Sequence, residues 1–222
     1  MPRRQRFSSA GYVFHVLNRA VARQTLFIAS GDYDAFVALL DEAQLRVSMR
    51  LLAFAVMPNH WHLVLWPETD DALSESMRWL TVTHAQRWHA AHETAGTGSL
   101  YQGRFKSFPI QEDDHLLTVC RYVERNALRA NLVSRAELWK WSSLWSWRNN
   151  SAAISLANWP VPRPSNWLEY VNEPQTEAEL ASIRKSITRS RPFGDNDWTV
   201  HAAQRLGLET SMRIAGRQRS RE

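Results

Sequence analysis

The stretch MPNHWHLVLW, residues 57–66, begins as a turn and continues as an apolar run of residues that favour β-strands. Pro58 and Asn59 are turn formers, and the preceding run LLAFAVM, residues 51–57, also has the composition of a strand. Two strands that are separated by only two residues favour direct antiparallel pairing. We therefore predict a tight β-hairpin here.

Two histidines stand at the start of the second hairpin strand. Because side chains alternate between the two faces of a strand, His60 and His62 lie on the same face as Val64 and Trp66. The opposite face carries Trp61, Leu63 and Leu65. Both faces are apolar further along, which predicts a central strand that is covered at least in part on each side.

Strand and helix patterns continue on both sides of the hairpin. The other predicted elements are a strand at 12–18, helices at 32–47 and 70–92, a strand at 103–110 and a helix at 112–130. The resulting order β-α-β-β-α-β-α is typical of α+β proteins with an antiparallel sheet and helices on one face, the ferredoxin-like or RRM-like plan. A tryptophan-rich region and a basic C-terminal tail follow this fold.

The charge and cysteine content narrow the class of protein. The 27 lysines and arginines exceed the 22 acidic residues and give a net charge of +5, which favours polyanionic partners. Cys120 is the only cysteine, so an intrachain disulfide and a cysteine-rich zinc site are excluded. The sequence has neither a signal-peptide pattern nor 18 consecutive apolar residues, so we expect a cytoplasmic protein that does not span a membrane.

The last predicted helix carries a second set of polar residues. Tyr122 and Asn126 are four residues apart and therefore lie one above the other, with Arg125 and Arg129 beside them. The apolar stripe of this helix consists of Leu116, Cys120, Val123 and Ala127. Tyr122 is at the shoulder of that stripe, from which it can reach the sheet.

Each of these features also has an ordinary structural interpretation. Two histidines at an i, i+2 spacing are potential metal ligands, yet such pairs are more often half-buried and hydrogen-bonded. A tyrosine on a core-facing helix is usually a packing residue. The conjunction of both features in one chain is what favours a functional site.

Four segments together resemble a known family. MPNHWHLVLW, LYQGRFKS, RYVERNALRANLV and WKWSS, in this order and spacing, resemble the REP-associated tyrosine transposases, which are relatives of the IS200-like single-strand transposases with the HUH motif. The resemblance covers about residues 10–150, with a weaker similarity in RSRPFGDNDWTVHAAQRLG. It implies a catalytic domain at 1–150 with a ferredoxin-like core, followed at 151–222 by a basic extension that is partly docked.

The resemblance also implies an activity. Members of this family are metal-dependent endonucleases and strand transferases that cut and rejoin single-stranded DNA at hairpin-forming repeats. By matching motifs, Tyr122 is the nucleophile that forms a 5′-phosphotyrosine, and His60 and His62 are metal ligands. Asn126 is the expected third ligand and replaces the glutamine of related insertion-sequence enzymes. The donor types suit Mg²⁺ or Mn²⁺, with Mn²⁺ the better match to imidazole.

We expect single-stranded or hairpin DNA with REP-like repeats as the partner. Binding then needs phosphate neutralisation by basic side chains together with aromatic stacking on the bases. The predicted DNA contacts are Asn18, Arg19, Arg23, Gln102, Arg104, Lys106, Arg125 and Arg129.

Several alternatives stay open at this point. The chain could be a non-catalytic nucleic-acid-binding protein of the same fold, or a hydrolase that uses a metal-activated water. It could act as a monomer or a homodimer, and its tail could dock on the core and clamp the DNA or form a loose basic arm. We expect His15 to be a strand core residue, and His84 and His89 to face solvent.

Overall fold

A computed structural model describes residues 10–213, so the basic C-terminal end of the predicted extension lies outside the described residues. Four strands form one sheet in the order β2-β3-β1-β4, and every neighbouring pair is antiparallel. The strands are β1 (Val13–Arg19), β2 (Met49–Met57), β3 (His60–Pro67) and β4 (Lys106–Ile110). This is the predicted ferredoxin-like arrangement.

Nine helices are seen within the described residues. They are α1 (Ser30–Arg46), α2 (Ala72–Ala91), α3 (Asp114–Glu124), α4 (Asn126–Arg129), α5 (Ser143–Arg148), α6 (Trp167–Asn172), α7 (Glu177–Arg189), α8 (Asn196–Arg205) and α9 (Glu209–Met212). Short 3-10 turns occur at Val21–Arg23 and Ala136–Leu138. Across residues 10–213 there is no helix of the length and apolarity that a bilayer crossing requires.

The hairpin forms as predicted. Met57 pairs with His60 across the turn of Pro58 and Asn59. The second strand, β3, lies between β2 and β1 and is therefore central in the sheet. A central strand holds its side chains in fixed positions, because both of its edges are hydrogen-bonded.

The first hydrophobic core lies between one face of the sheet and the helices α1 and α2. Trp61 and Leu63 of β3 contribute to it and are fully buried. Phe36 of α1 and Leu80 of α2 belong to the same core and are equally inaccessible. Helical spacing of apolar residues thus places both helices on one face of the sheet, as predicted.

The other face of the sheet is covered as well, as predicted for a central strand that is apolar on both sides. Val64 of β3 packs in a second core with Val119 of α3, Trp167 of α6 and Ile183 of α7. Because β3 is apolar on both faces, a second layer is needed to remove its outer face from water. The C-terminal extension supplies much of that layer.

The predicted helix at 112–130 is divided at Arg125, where α3 ends and α4 begins. The division is slight, because the amides of Arg125 and Arg129 still donate to the carbonyls four residues earlier, at 2.9 Å each. Tyr122 and Asn126 therefore keep the one-turn spacing that the sequence predicts.

The extension is tied to α3 by hydrogen bonds as well as by the second core. Glu124, which is 1% exposed, accepts from the Ser143 hydroxyl and from the Trp167 indole N–H, at 2.7 Å each. Arg121 donates to the carbonyls of Glu173 and Pro174 at 2.8 and 3.2 Å. Of the two arrangements left open for this segment, the docked one is seen up to residue 213.

Candidate active site

A cavity of about 490 Å³ opens where β1, β3, α3, α4 and α7 meet. Tyr122, His60, His62 and Asn126, which were selected from the sequence, all line it. The other lining residues are Leu17, Asn18, Arg19, Gln102, Gly103, Arg104, Lys106, Arg129, Arg184, Ile187 and Thr188. One end of the sheet thus brings together imidazoles, a phenol, an amide and several cations.

His60 has a defined hydrogen-bonding state. Its Nδ1 lies 2.7 Å from Oδ1 of Asn59, whose Nδ2 donates in turn to the carbonyl of Arg23 at 3.2 Å. Because Oδ1 can only accept, Nδ1 of His60 carries the proton and Nε2 keeps its lone pair. Burial, followed by the charges of Arg19 and Arg129, lowers the pKa of His60 to about 3, so the ring is neutral.

His62 is buried more deeply and contacts another histidine. Its Nδ1 lies 2.9 Å from Nε2 of His15, a residue of β1 that is fully buried. Burial lowers the pKa of His62 well below its usual value, and the neighbouring His60 lowers it further. Burial also lowers the pKa of His15 to about 3. All three imidazoles are therefore neutral at physiological pH.

The phenol of Tyr122 stands over these rings. Its ring centroid is 5.7 Å from that of His62 and 6.3 Å from that of His15, and both pairs are nearly perpendicular. On another side, the guanidinium carbon of Arg129 lies 4.1 Å from the Tyr122 ring centroid. A cation over an aromatic face is an attractive contact that restricts the ring. Tyr122 is thus held between the histidines and a cation.

Asn126 completes the polar wall next to Tyr122. Its Oδ1 accepts from Nη2 of Arg129 at 3.1 Å, and its Nδ2 is buried without a partner among residues 10–213. Two neutral imidazoles and an amide oxygen make a donor set that fits a divalent cation. Within the described range no group of three His, Cys, Asp or Glu residues could hold a metal. The metal site at His60, His62 and Asn126 therefore stays a prediction.

The structure brings six of the eight predicted DNA contacts to the cavity but not Arg23 or Arg125. Arg23 contributes its backbone carbonyl to Asn59, as described above. Nη1 of Arg125 donates to the carbonyls of Val171 and Asn172 at 3.2 and 2.6 Å. Its guanidinium thus contacts α6 outside the cavity, and the DNA contact of Arg125 stays a prediction.

Sequence reasoning missed several residues of the site. Arg184, Ile187 and Thr188 of α7 reach the cavity only because the extension docks there, and no local pattern signals this. His15 was predicted as a core residue and is one, but its contact with His62 was not foreseen. That contact follows from the ferredoxin-like order, because β1 lies beside β3 and Leu17 pairs with His62.

The expectation that His84 faces solvent is wrong. His84 is 5% exposed, and its Nδ1 lies 2.6 Å from the Tyr101 hydroxyl. It also stacks on Phe27 with ring centroids 5.5 Å apart, so it belongs to the first core. His89 is half-buried and bonds to the Thr94 hydroxyl at 2.8 Å.

Comparison with known proteins gives three findings. The family model for IS200-like transposases matches residues 8–126, a segment that includes the four selected site residues. A REP-associated tyrosine transposase bound to a REP hairpin has a similar structure, with 17% identity, a TM-score of 0.53, and coverage of 80% of this chain and 99% of that chain. A proposed transposase from Deinococcus radiodurans R1 has 15% identity, a TM-score of 0.40, and coverage of 68% and 98%.

No curated protein matches the chain. The family model nevertheless covers more than half of the 222 residues, including β1 to β4, α3 and the first residue of α4. The similarity to the REP-associated structure shows that the fold is shared. The chain therefore belongs to the IS200-like transposase family.

Proposed function

We propose that the protein is a metal-dependent endonuclease and strand transferase that acts on single-stranded DNA through a 5′-phosphotyrosine. The observation that carries the proposal is the position of the Tyr122 ring, 5.7 Å from the ring of His62, in the cavity that also contains His60 and Asn126. The proposed nucleophile and donor set line one cavity of a single chain, which supports a site that a monomer could form.

The substrate class follows from the charge around the cavity and from the family. Arg19, Arg104 and Lys106 border the cavity, and their charges suit the phosphates of a strand that crosses it. The relative with a similar fold was solved with a REP hairpin. We therefore propose hairpin-forming repeats as the DNA, with the scissile step in a single-stranded flank.

The proposed reaction conserves the energy of the phosphodiester bond. The phenolic oxygen of Tyr122 forms a bond to phosphorus, and the bond between phosphorus and the 3′-oxygen breaks. The phenol loses its proton, and the leaving 3′-oxygen gains one. The 3′-hydroxyl of another strand can attack the phosphotyrosine and reverse the step without a nucleotide cofactor.

The residues around Tyr122 have separate tasks in this step. His60, His62 and Asn126 would hold a divalent ion such as Mg²⁺ or Mn²⁺, which supplies charge stabilisation at the non-bridging phosphate oxygens. Arg129 restrains the Tyr122 ring, and its Nη1 is buried without a partner within residues 10–213. Since Arg129 also lines the cavity, its guanidinium would place a positive charge beside a phosphate bound there.

The proposal is tested with an end-labelled hairpin that has a single-stranded flank and with the same sequence as a fully paired duplex. We expect Mn²⁺-dependent cleavage of the hairpin and a covalent adduct that survives denaturation, with little cleavage of the duplex. Cleavage without an adduct would identify a water-activating hydrolase. Binding to both substrates without cleavage under any metal condition would identify the non-catalytic alternative.

The docked extension gives a prediction about DNA affinity. Arg184 of α7 lines the cavity and is exposed, so Arg184→Ala should weaken binding of a single-stranded flank. The dependence of log affinity on log salt should become shallower by about 0.7, the value for one phosphate contact on single-stranded DNA. Lys185→Ala removes the same charge from an exposed position of α7 outside the cavity lining. Equal salt slopes for both variants would show that α7 does not contact DNA.

A further inference from the structure

A second cavity, of about 710 Å³, borders the active-site cavity, and the proposed reaction does not use it. The C-terminal half of α2 forms one wall of this second cavity, and the segment 95–104 forms the other. Asn18, Gly103 and Arg104 line both cavities. The two cavities therefore meet at these three residues.

The boundary between the cavities is fixed to the end of β1 by hydrogen bonds. The amide N–H of Gln102 donates to the carbonyl of Arg19 at 2.9 Å, and Nδ2 of Asn18 donates to the carbonyl of Gly103 at 3.2 Å. Arg104 is exposed at this boundary and carries a positive charge. A DNA strand that crosses the active-site cavity can therefore continue into the second cavity past a cation that suits its phosphates.

The α2 wall of the second cavity combines apolar and polar side chains. Val82 and Ala85 are apolar, and the Val82 side chain belongs to a residue that is 51% exposed. Gln86 and His89 lie on the same wall and supply hydrogen-bonding groups. A nucleobase has the matching combination, because its faces are apolar and its edges carry donors and acceptors. Cavities of about 300–1,000 Å³ suit ligands of small-molecule size.

We propose that the second cavity holds one unpaired nucleotide of the single-stranded flank while the scissile step lies in the active-site cavity. The inference rests on the proposed function. Val82 and Ala85 contact the base, and Gln86 bonds to its edge, as glutamine does with adenine. Arg104 lies beside the phosphate at the boundary between the cavities. The protein thus reads one base of its substrate away from the point of cleavage.

The first test measures DNA affinity by fluorescence anisotropy, with the full chain in chelator-treated buffer. The DNA is a hairpin whose flank nucleotides are replaced one at a time by abasic sites. We expect the wild type to lose about tenfold in affinity at one flank position. Val82→Glu should lose as much on intact DNA and nothing further at that abasic position. Val200→Glu makes the same change at a 46% exposed valine of α8 outside both cavity linings, and should bind every substrate like the wild type.

The second test traps the contact. The only cysteine of the chain, Cys120, is fully buried, so Val82→Cys introduces a single accessible thiol. With flank bases that carry a disulfide tether, we expect an adduct with Val82→Cys at the position found in the first test and none with Val200→Cys.

The outcomes separate the two proposals. Equal affinity of the wild type for hairpins with and without the flank would overturn the single-strand assignment and with it the inference. Flank-dependent binding in which the losses from Val82→Glu and from every abasic site are additive would overturn the nucleotide site alone, because the new carboxylate would then repel phosphates and not a base. Equal trapping by the two cysteine variants would overturn it as well.

Discussion

Replacing Tyr122 with phenylalanine is expected to abolish strand cleavage and the covalent adduct while leaving DNA binding close to the wild-type value. The substitution deletes one oxygen and keeps the ring that Arg129 covers at 4.1 Å. Loss of one hydrogen-bonding hydroxyl changes the free energy of unfolding by about 1 kcal/mol. Loss of a covalent nucleophile costs on the order of 10⁶ in rate in a serine protease.

The measurement uses an end-labelled hairpin with Mn²⁺, a denaturing gel for product and adduct, and a thermal melt of each protein. Tyr101→Phe is the matched control, because the Tyr101 hydroxyl bonds to His84 and to the Trp61 indole in the first core. That variant should melt earlier and still cleave. Nicking by Tyr122→Phe at the wild-type rate would mean that another group attacks the phosphate.

The second large effect concerns the histidine pair. His60→Ala and His62→Ala should each remove cleavage while much of the DNA affinity remains, because phosphate contacts elsewhere supply that affinity. A metal ion that stabilises transition-state charge contributes several kcal/mol, which corresponds to a rate loss of about 1,000-fold or more. His62→Ala also leaves His15 without its hydrogen-bond partner, so the free energy of unfolding of this variant should be lower than that of the wild type by about 1–3 kcal/mol.

Cleavage and binding are measured in parallel, each with Mn²⁺ and in chelator-treated buffer. His84→Ala removes a buried histidine of the first core and serves as the control for lost stability, so it should retain cleavage. If both alanine variants and the wild type remained fully active after chelation, the metal hypothesis would be abandoned. The role of Tyr122 would then be judged on the adduct alone.

The positions of the main site residues could be predicted because they depend on local periodicity. Alternation along β3 places His60 and His62 on one face, and helical spacing places Asn126 one turn after Tyr122. A central apolar strand and the ferredoxin-like order then bring these elements together. These relations depend on backbone geometry, which the sequence encodes within a few residues.

Contacts that depend on packing between distant segments could not be predicted. Arg125 has the composition and neighbours of a DNA contact, yet the carbonyls of α6 hold it. In the sequence, Arg184 is an ordinary basic residue of a helix, and only the position of α7 beside the cavity places it in the lining. The apolar pattern of α2 does not decide whether His84 faces the core or the solvent. Its burial depends on the contact with the Tyr101 hydroxyl, a residue from a distant segment of the chain.

The carboxylate of Glu124 limits how such proteins can be recombined. It lies on α3, two residues from Tyr122. One of its oxygens accepts from the Ser143 hydroxyl, and the other accepts from the indole of Trp167, which belongs to the extension. Burial raises the pKa of Glu124, and without the indole one of its oxygens would have no donor in an apolar setting. A chimera that exchanges the extension for that of a relative must therefore also transplant an indole at this position. Otherwise the helix that carries the tyrosine would be disturbed before any change of DNA preference could be observed.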